Sequence, residues 1–137
     1  YAVMGVAVNC GPALMGDDIE GICQSVMDIP VCVSDASGFN GDADRGWSDA
    51  MISLLRKVPH FSEKKQAGKI NVIGPCILDP ASDESWENVL FIPGGQLMTY
   101  GELSLLSEAE RNVVVHPRGL AVARWLEENT QVPYSMQ

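Results

Sequence analysis

Ala2-Val-Met-Gly-Val-Ala-Val8, then Asn9-Cys-Gly-Pro12, then Asp17-Asp-Ile-Glu-Gly-Ile-Cys-Gln-Ser-Val-Met27 is the stretch that decides the fold. The first seven residues are a short continuous apolar run, the pattern of a strand buried on both faces of a parallel sheet. Cys10-Gly11-Pro12 predicts a turn. Asp17 and Asp18 stand where a helix N-cap belongs, and Ile19, Ile22, Cys23, Val26 and Met27 follow at helical spacing. One face of that helix is expected to pack on the sheet.

The same alternation continues along the chain. Val31-Cys32-Val33 predicts a second strand, and Ser34 to Arg45, polar and holding two glycines, predicts a loop. Trp47, Ala50, Met51, Leu54, Leu55 and Val58 recur at helical spacing until Pro59. Ser62 to Lys69 is charged and solvated, and Ile70 to Ile73 is a third strand. Asp79 to Asn88 could begin a helix. Val89 to Ile92 reads as a fourth strand ending at Pro93-Gly94-Gly95, and Val113 to Val115 as a fifth. Leu120, Val122, Ala123, Trp125 and Leu126 mark a last amphipathic helix. Alternating strands and helices build βαβ units, so the expected fold is a three-layer, Rossmann-like α/β domain with a parallel sheet of four to five strands. The joint between Ile73 and Val89 is tight, with about fifteen residues for a whole crossover.

Length and charge narrow the function. The 137 residues hold one domain spanning 1–137. Nine Lys+Arg against eighteen Asp+Glu give a net charge of −9, which repels nucleic acid and anionic membranes. No apolar run approaches the ~20 residues of a membrane helix. A cytoplasmic location is expected, with reduced cysteines, because Cys10, Cys23, Cys32 and Cys76 form no Cys-x-x-Cys pair. Tyr1 opens almost directly into a strand with no Met before it, which points to a segment of a longer protein.

Parallel sheets bind ligands beyond the carboxyl ends of their strands. Cys10 falls there, ahead of a helix N-terminus whose dipole would stabilise a thiolate, and is the best metal-ligand candidate, although a lone cysteine at a strand end is more often a small buried apolar residue. Cys23 and Cys32 read as core residues, and Cys76 lies on a ligand-side loop. His116 and Arg118 share a loop at the same edge, where proton transfer or anion binding is conceivable, but with no partner carboxylate visible in the sequence a capping or surface histidine is the favoured reading. Pro93-Gly94-Gly95 lacks a phosphate-binding fingerprint. Asp17, Asp18 and Glu20 read as helix-capping acids. No nucleophile and base form a recognisable set, so no catalytic residue is assigned.

One string is more specific. Cys10-Gly-Pro-Ala-Leu-Met-Gly-Asp-Asp-Ile-Glu20 resembles the cysteine, five residues, Gly-Asp-Asp segment of nitrogenase component 1 subunits. Ser37-Gly-Phe-Asn-Gly41 with Gly46-Trp47, Lys69-Ile-Asn-Val-Ile-Gly74, Pro93-Gly-Gly95, and Asn112 to Leu120 with Trp125-Leu-Glu-Glu128 resemble further family segments in the right order. The resemblance spans nearly the whole chain and implies a chelatase-like nitrogenase component 1 domain. Gly46-Trp47 and the Val115-His116-Pro117 turn are closer to the β-type subunit than the α-type. His116 stands where the substrate-reducing α-type subunit has the cysteine that anchors its metal cofactor.

The resemblance further implies that Cys10 is a ligand of a P-cluster-like iron–sulfur cluster between two subunits. It implies a homologous component 1 subunit and an iron-protein reductase as partners, with ATP-gated electron transfer to dinitrogen, a tetrapyrrole double bond or a maturing metal cofactor. One thiolate cannot hold such a cluster, which takes about four protein ligands. The isolated segment is therefore expected to be inactive and to carry no cofactor of its own. The connection between the third and fourth strands is shorter than the family's, and a few more residues follow Pro93-Gly-Gly95. A non-redox α/β binding module for a small anion or partner protein is the alternative; it would bury Cys10 and close a pocket around Ser34 to Asp44 and Pro93 to Gln96.

Overall fold

The computed structural model describes residues 3–75, 87, 89–91 and 99–137. These fall into two compact units, residues 1–59 and 60–137.

In the first unit, β1 (Met4–Val8) and β2 (Val31–Asp35) pair in parallel, Met4 with Val31 through Val8 with Asp35. Two helices connect them, α1 (Cys10–Met15) and α2 (Ile19–Val26), and α3 (Ala43–Leu55) follows β2 and packs on it. The core here is small: Val31, Cys32 and Leu55 are its buried apolar residues, with Ser37 and Ser48. Within the run at residues 2–8, Met4–Val8 forms a strand, but not one buried on both faces. Gly5 and Ala7 are exposed while Met4, Val6 and Val8 are half-buried. The strand's small residues occupy the open face, which removes little apolar area from water.

The predicted turn at Cys10-Gly11-Pro12 is instead the first turn of α1. Asn9 caps it by accepting from the Gly11 N–H at 3.2 Å, and Pro12 is tolerated because a first-turn N–H has no intrahelical partner. Gly16 closes α1 in the left-handed conformation (φ 71°), its N–H reaching the Pro12 carbonyl. Asp18 then caps α2 as expected, accepting from Gly21 N at 2.9 Å. The apolar face of α2 is only partly covered: Ile19 and Cys23 are half-buried, whereas Ile22 and Val26 are exposed. The loop read as Ser34 to Arg45 is shorter than expected. Strand β2 runs to Asp35 and α3 starts at Ala43, with Asp42 as its N-cap.

In the second unit, β3 (Gln66–Ile73), β4 (Val89–Phe91), β5 (Ala109–Val114) and β6 (Tyr134–Met136) form a sheet in the order β4-β3-β5-β6, every pairing parallel. A 3-10 helix, Tyr100–Glu108, leads into β5, and α4 (Gly119–Thr130) crosses from β5 to β6. Val72, Ile73, Leu103, Leu106, Val113, Val114, Val122, Ala123, Leu126 and Val132 are the core. Truncating one of its leucines, such as Leu126, to alanine is worth about 2–5 kcal/mol. The expected parallel α/β architecture is present, as sheets of two and four strands. The expected helix after Asp79 and the Pro93-Gly94-Gly95 turn lie outside the described residues.

Candidate functional site

The carboxyl ends of β1 and β2 sit side by side. Val8 pairs with Asp35, and the Ala36 N–H donates to the Val8 carbonyl at 2.9 Å. Cys10, two residues past β1, and Ser37, two past β2, therefore share one sheet edge. Cys10 is exposed and its thiol is free. It is the first residue of α1, and α1 and α2 carry the most exposed large apolar side chains of this unit: Leu14 and Val26 at 74%, Met15 at 72% and Ile22 at 59%. Phe39, in the loop after β2, is exposed as well.

Asp35 organises that loop. It accepts from the Ser37 N–H and from Asn40 Nδ2, both at 2.8 Å. The Ser37 hydroxyl and amide, with help from Asn40 and the Arg45 charge, hold the Asp35 carboxyl below its ordinary value. Ser37 is buried, and its hydroxyl makes no contact within full hydrogen-bond geometry although it lies beside the carboxylate. Next to it is an open hollow of about 250 Å³, with Asp35, Asp42, Asp49 and Arg45 among its walls. Composition marks this segment only as polar loop. Its readable signal is an Asp followed by Ser and Asn, the residues that tie a turn through side-chain bonds to backbone.

The second sheet has its own ligand-side edge. Chain connections leave β3 toward β4 and β5 toward β6, so the strand order reverses between β3 and β5. Gly74 follows β3 there and His116 follows β5. The two loops are in tight contact: Val115 N donates to the Ile73 carbonyl at 3.0 Å, and a Cβ on Gly74 would meet His116 at 2.9 Å. Gly119, the first residue of α4, is as constrained, since its Cβ would lie 2.8 Å from the Ile73 carbonyl oxygen. His116 Nδ1 accepts from Arg118 N at 3.3 Å and Arg118 Nε at 3.0 Å. These contacts lie within the turn that opens α4 and tie the imidazole to the guanidinium.

The remaining candidates separate. Cys32 is buried as a core residue, its thiol donating weakly to the Met4 carbonyl at 3.4 Å, and Cys23 is half-buried on α2. Asp18 is a cap. His60 is exposed. Cys76 and Pro93-Gly94-Gly95 lie outside the described residues. Among the described residues, no three His, Cys, Asp or Glu side chains form a group that could hold a metal ion.

Comparison with known proteins gives these residues a context. Residues 1–136 match the sequence profile of the family described as nitrogenase component 1 type oxidoreductase. The chain is 28% identical over 150 residues to the nitrogenase iron-molybdenum cofactor biosynthesis protein NifE of Klebsiella pneumoniae, covering 92% of this chain and 32% of that protein. It is 26% identical over 146 residues to a light-independent protochlorophyllide reductase polypeptide of Methylobacterium sp. (strain 4-46), covering 96% of this chain and 29% of that one. The solved structure of nitrogenase Cp1 at pH 6.5 shares the fold, with a TM-score of 0.75 and 22% identity over 98% of this chain and 28% of that chain. The chain thus spans about a third of the length of the curated relatives it matches.

Proposed function

This chain belongs to the nitrogenase component 1 type oxidoreductase family, and from that membership we propose that it is one domain of a component 1-like subunit in which Cys10 helps to hold an iron–sulfur cluster at a subunit interface. The observation that carries the reading is the placement of Cys10: a free, exposed thiol at the strand-end edge of the first unit, on a helix whose Leu14 and Met15 are also exposed. A thiol meant only for packing is ordinarily buried, as Cys32 is. An exposed set of large apolar side chains is expected where a second subunit docks.

The donor set fits a shared cluster. One thiol comes from this chain, at the strand-end edge it shares with the loop that Asp35 ties. A cluster's remaining ligands, about three of four, would come from elsewhere in the assembly. When bound, such a cluster supplies one-electron transfer. What this chain contributes is position: Asn9 and Gly16 fix the ends of α1, and Asp35 fixes the facing loop. In this reading the partners are a homologous component 1 subunit and an iron-protein reductase that delivers electrons with ATP hydrolysis. NifE is named for cofactor biosynthesis and the other relative for protochlorophyllide reduction, which supports a maturing metal cofactor or a tetrapyrrole as the substrate in this reading.

The alternative, a non-redox binding module, would bury Cys10 and close a pocket around Ser34 to Asp44 and Pro93 to Gln96, the second of which lies outside the described residues. Cys10 is exposed and the hollow is open to solvent, which favours the redox reading.

Thiol alkylation of the anaerobically purified complex tests the proposal. Cys10 should resist iodoacetamide while iron is present and react after the iron is chelated out. Equal labelling before and after chelation contradicts it.

A further inference from the structure

We propose that Asn40 is a site of spontaneous deamidation, restrained by Asp35, and that its conversion remodels the loop leading into α3. Asn40 is the only asparagine in the chain followed by glycine. An Asn-Gly bond is the arrangement in which the next backbone nitrogen reaches the side-chain carbonyl with least obstruction, since glycine carries no Cβ. The step needs no enzyme. Gly41 N attacks Asn40 Cγ, the new C–N bond closes a five-membered succinimide, and the Cγ–Nδ2 bond breaks. The nitrogen that leaves takes the Gly41 proton and departs as ammonia. Water then opens the ring at either carbonyl, giving aspartate or isoaspartate and releasing a proton.

Chain position makes the site accessible, while Asp35 opposes the reaction. Asn40 is half-buried and Gly41 exposed, in a loop bordering an open hollow. Asn40 Nδ2, the leaving nitrogen, donates to Asp35 Oδ2 at 2.8 Å, and the Asn40 N–H donates to the Ser37 carbonyl at 3.1 Å. The first of these bonds ties the side chain and the leaving nitrogen, and the second steadies the loop backbone. The Asp35 carboxylate therefore acts as a clasp on the amide.

Conversion would reverse the sense of that contact. A carboxylate at position 40 would stand at hydrogen-bond distance from Asp35, in a hollow that already holds Asp42 and Asp49, and like charges at that range repel. Isoaspartate would also lengthen the main chain by one carbon, two residues before Asp42, whose carboxylate caps α3 by accepting from Arg45 N at 3.0 Å. The expected result is an opened loop and a frayed α3 start, at the edge that Cys10 occupies.

The test is incubation of the native protein at mildly alkaline pH, followed by peptide mapping for the mass gain of amide-to-acid conversion and by labelling with isoaspartyl methyltransferase. Both signals should appear at Asn40 and be absent from Asn40→Gln. Asp35→Ala should raise the rate severalfold, with the fold of each variant checked by circular dichroism. In urea the wild-type and Asp35→Ala rates should converge, which separates release of the clasp from a sequence effect. Asn40 staying unmodified in the native protein while it converts in urea would overturn the site. An Asp35→Ala rate equal to or below wild type in the native state would overturn the clasp.

Discussion

Asn71 and Asn112 face each other in register across β3 and β5, both fully buried, with Asn71 Nδ2 donating to Asn112 Oδ1 at 2.8 Å. The pair also fastens two further segments to the sheet. Asn71 Nδ2 also donates to the Leu106 carbonyl at the end of the 3-10 helix, and Asn112 Nδ2 to the Val132 carbonyl before β6. Two amides buried among Val72, Ile73, Val113 and Val114 cost free energy unless bonded, so they penalise any register in which they miss each other.

Asn112→Ala should therefore destabilise the fold by about 1–3 kcal/mol, the cost of leaving buried polar groups unpaired. Replacing both amides with leucine should cost less than the sum of the two single leucine substitutions, because neither partner is then left stranded. Urea unfolding of the four proteins in the cycle measures this. Strict additivity would contradict the coupling.

Glu108 is buried where the 3-10 helix meets β5, and accepts from Ser62 Oγ at 2.5 Å and Gln66 Nε2 at 2.6 Å. Those bonds, with the Lys64 charge, hold its carboxyl below the ordinary 4.5. A lowered folded pKa contributes stability that is present above the unfolded value and is lost as pH falls through the folded one. Glu108→Gln should accordingly be less stable than wild type at neutral pH, with the gap narrowing below 4.5. Thermal melts across the acid range check it, and a gap independent of pH would contradict it.

Leu14 and Val26 should tolerate charge in isolation and not in the assembly. Both are exposed, so Leu14→Asp and Val26→Asp should move the stability of this domain by no more than about 0.5 kcal/mol. If the proposed pairing with a homologous subunit uses this face, each should weaken it, read by analytical ultracentrifugation. Undiminished pairing would place the interface on another face.

The α/β class was legible because β1, α2, β2, α3, β3 and α4 each announce themselves by period or cap. What escaped did so for physical reasons. Pro12 signals a break anywhere except a first turn, which hid α1. The 3-10 helix buries Leu103 and Leu106 at a spacing of three, too short a stretch to show a helical period. The first half of β5, Ala109-Glu-Arg-Asn112, is polar in sequence, because Asn112 is buried by bonding and not by being apolar. At the site, Cys10 could be placed at a strand end from the sequence, but a lone thiol carries no spacing code, so its role rested on resemblance alone. Asp35 and Ser37 looked like generic loop until their bonds were visible.

Ligation of a cluster by Cys10, as proposed, is decided by the iron and acid-labile sulfide content of the anaerobically purified complex, wild type against Cys10→Ala. The substitution should remove interface iron and sulfide together and bleach the visible absorption while the subunits remain folded. Iron, sulfide and spectrum all unchanged in Cys10→Ala would contradict it.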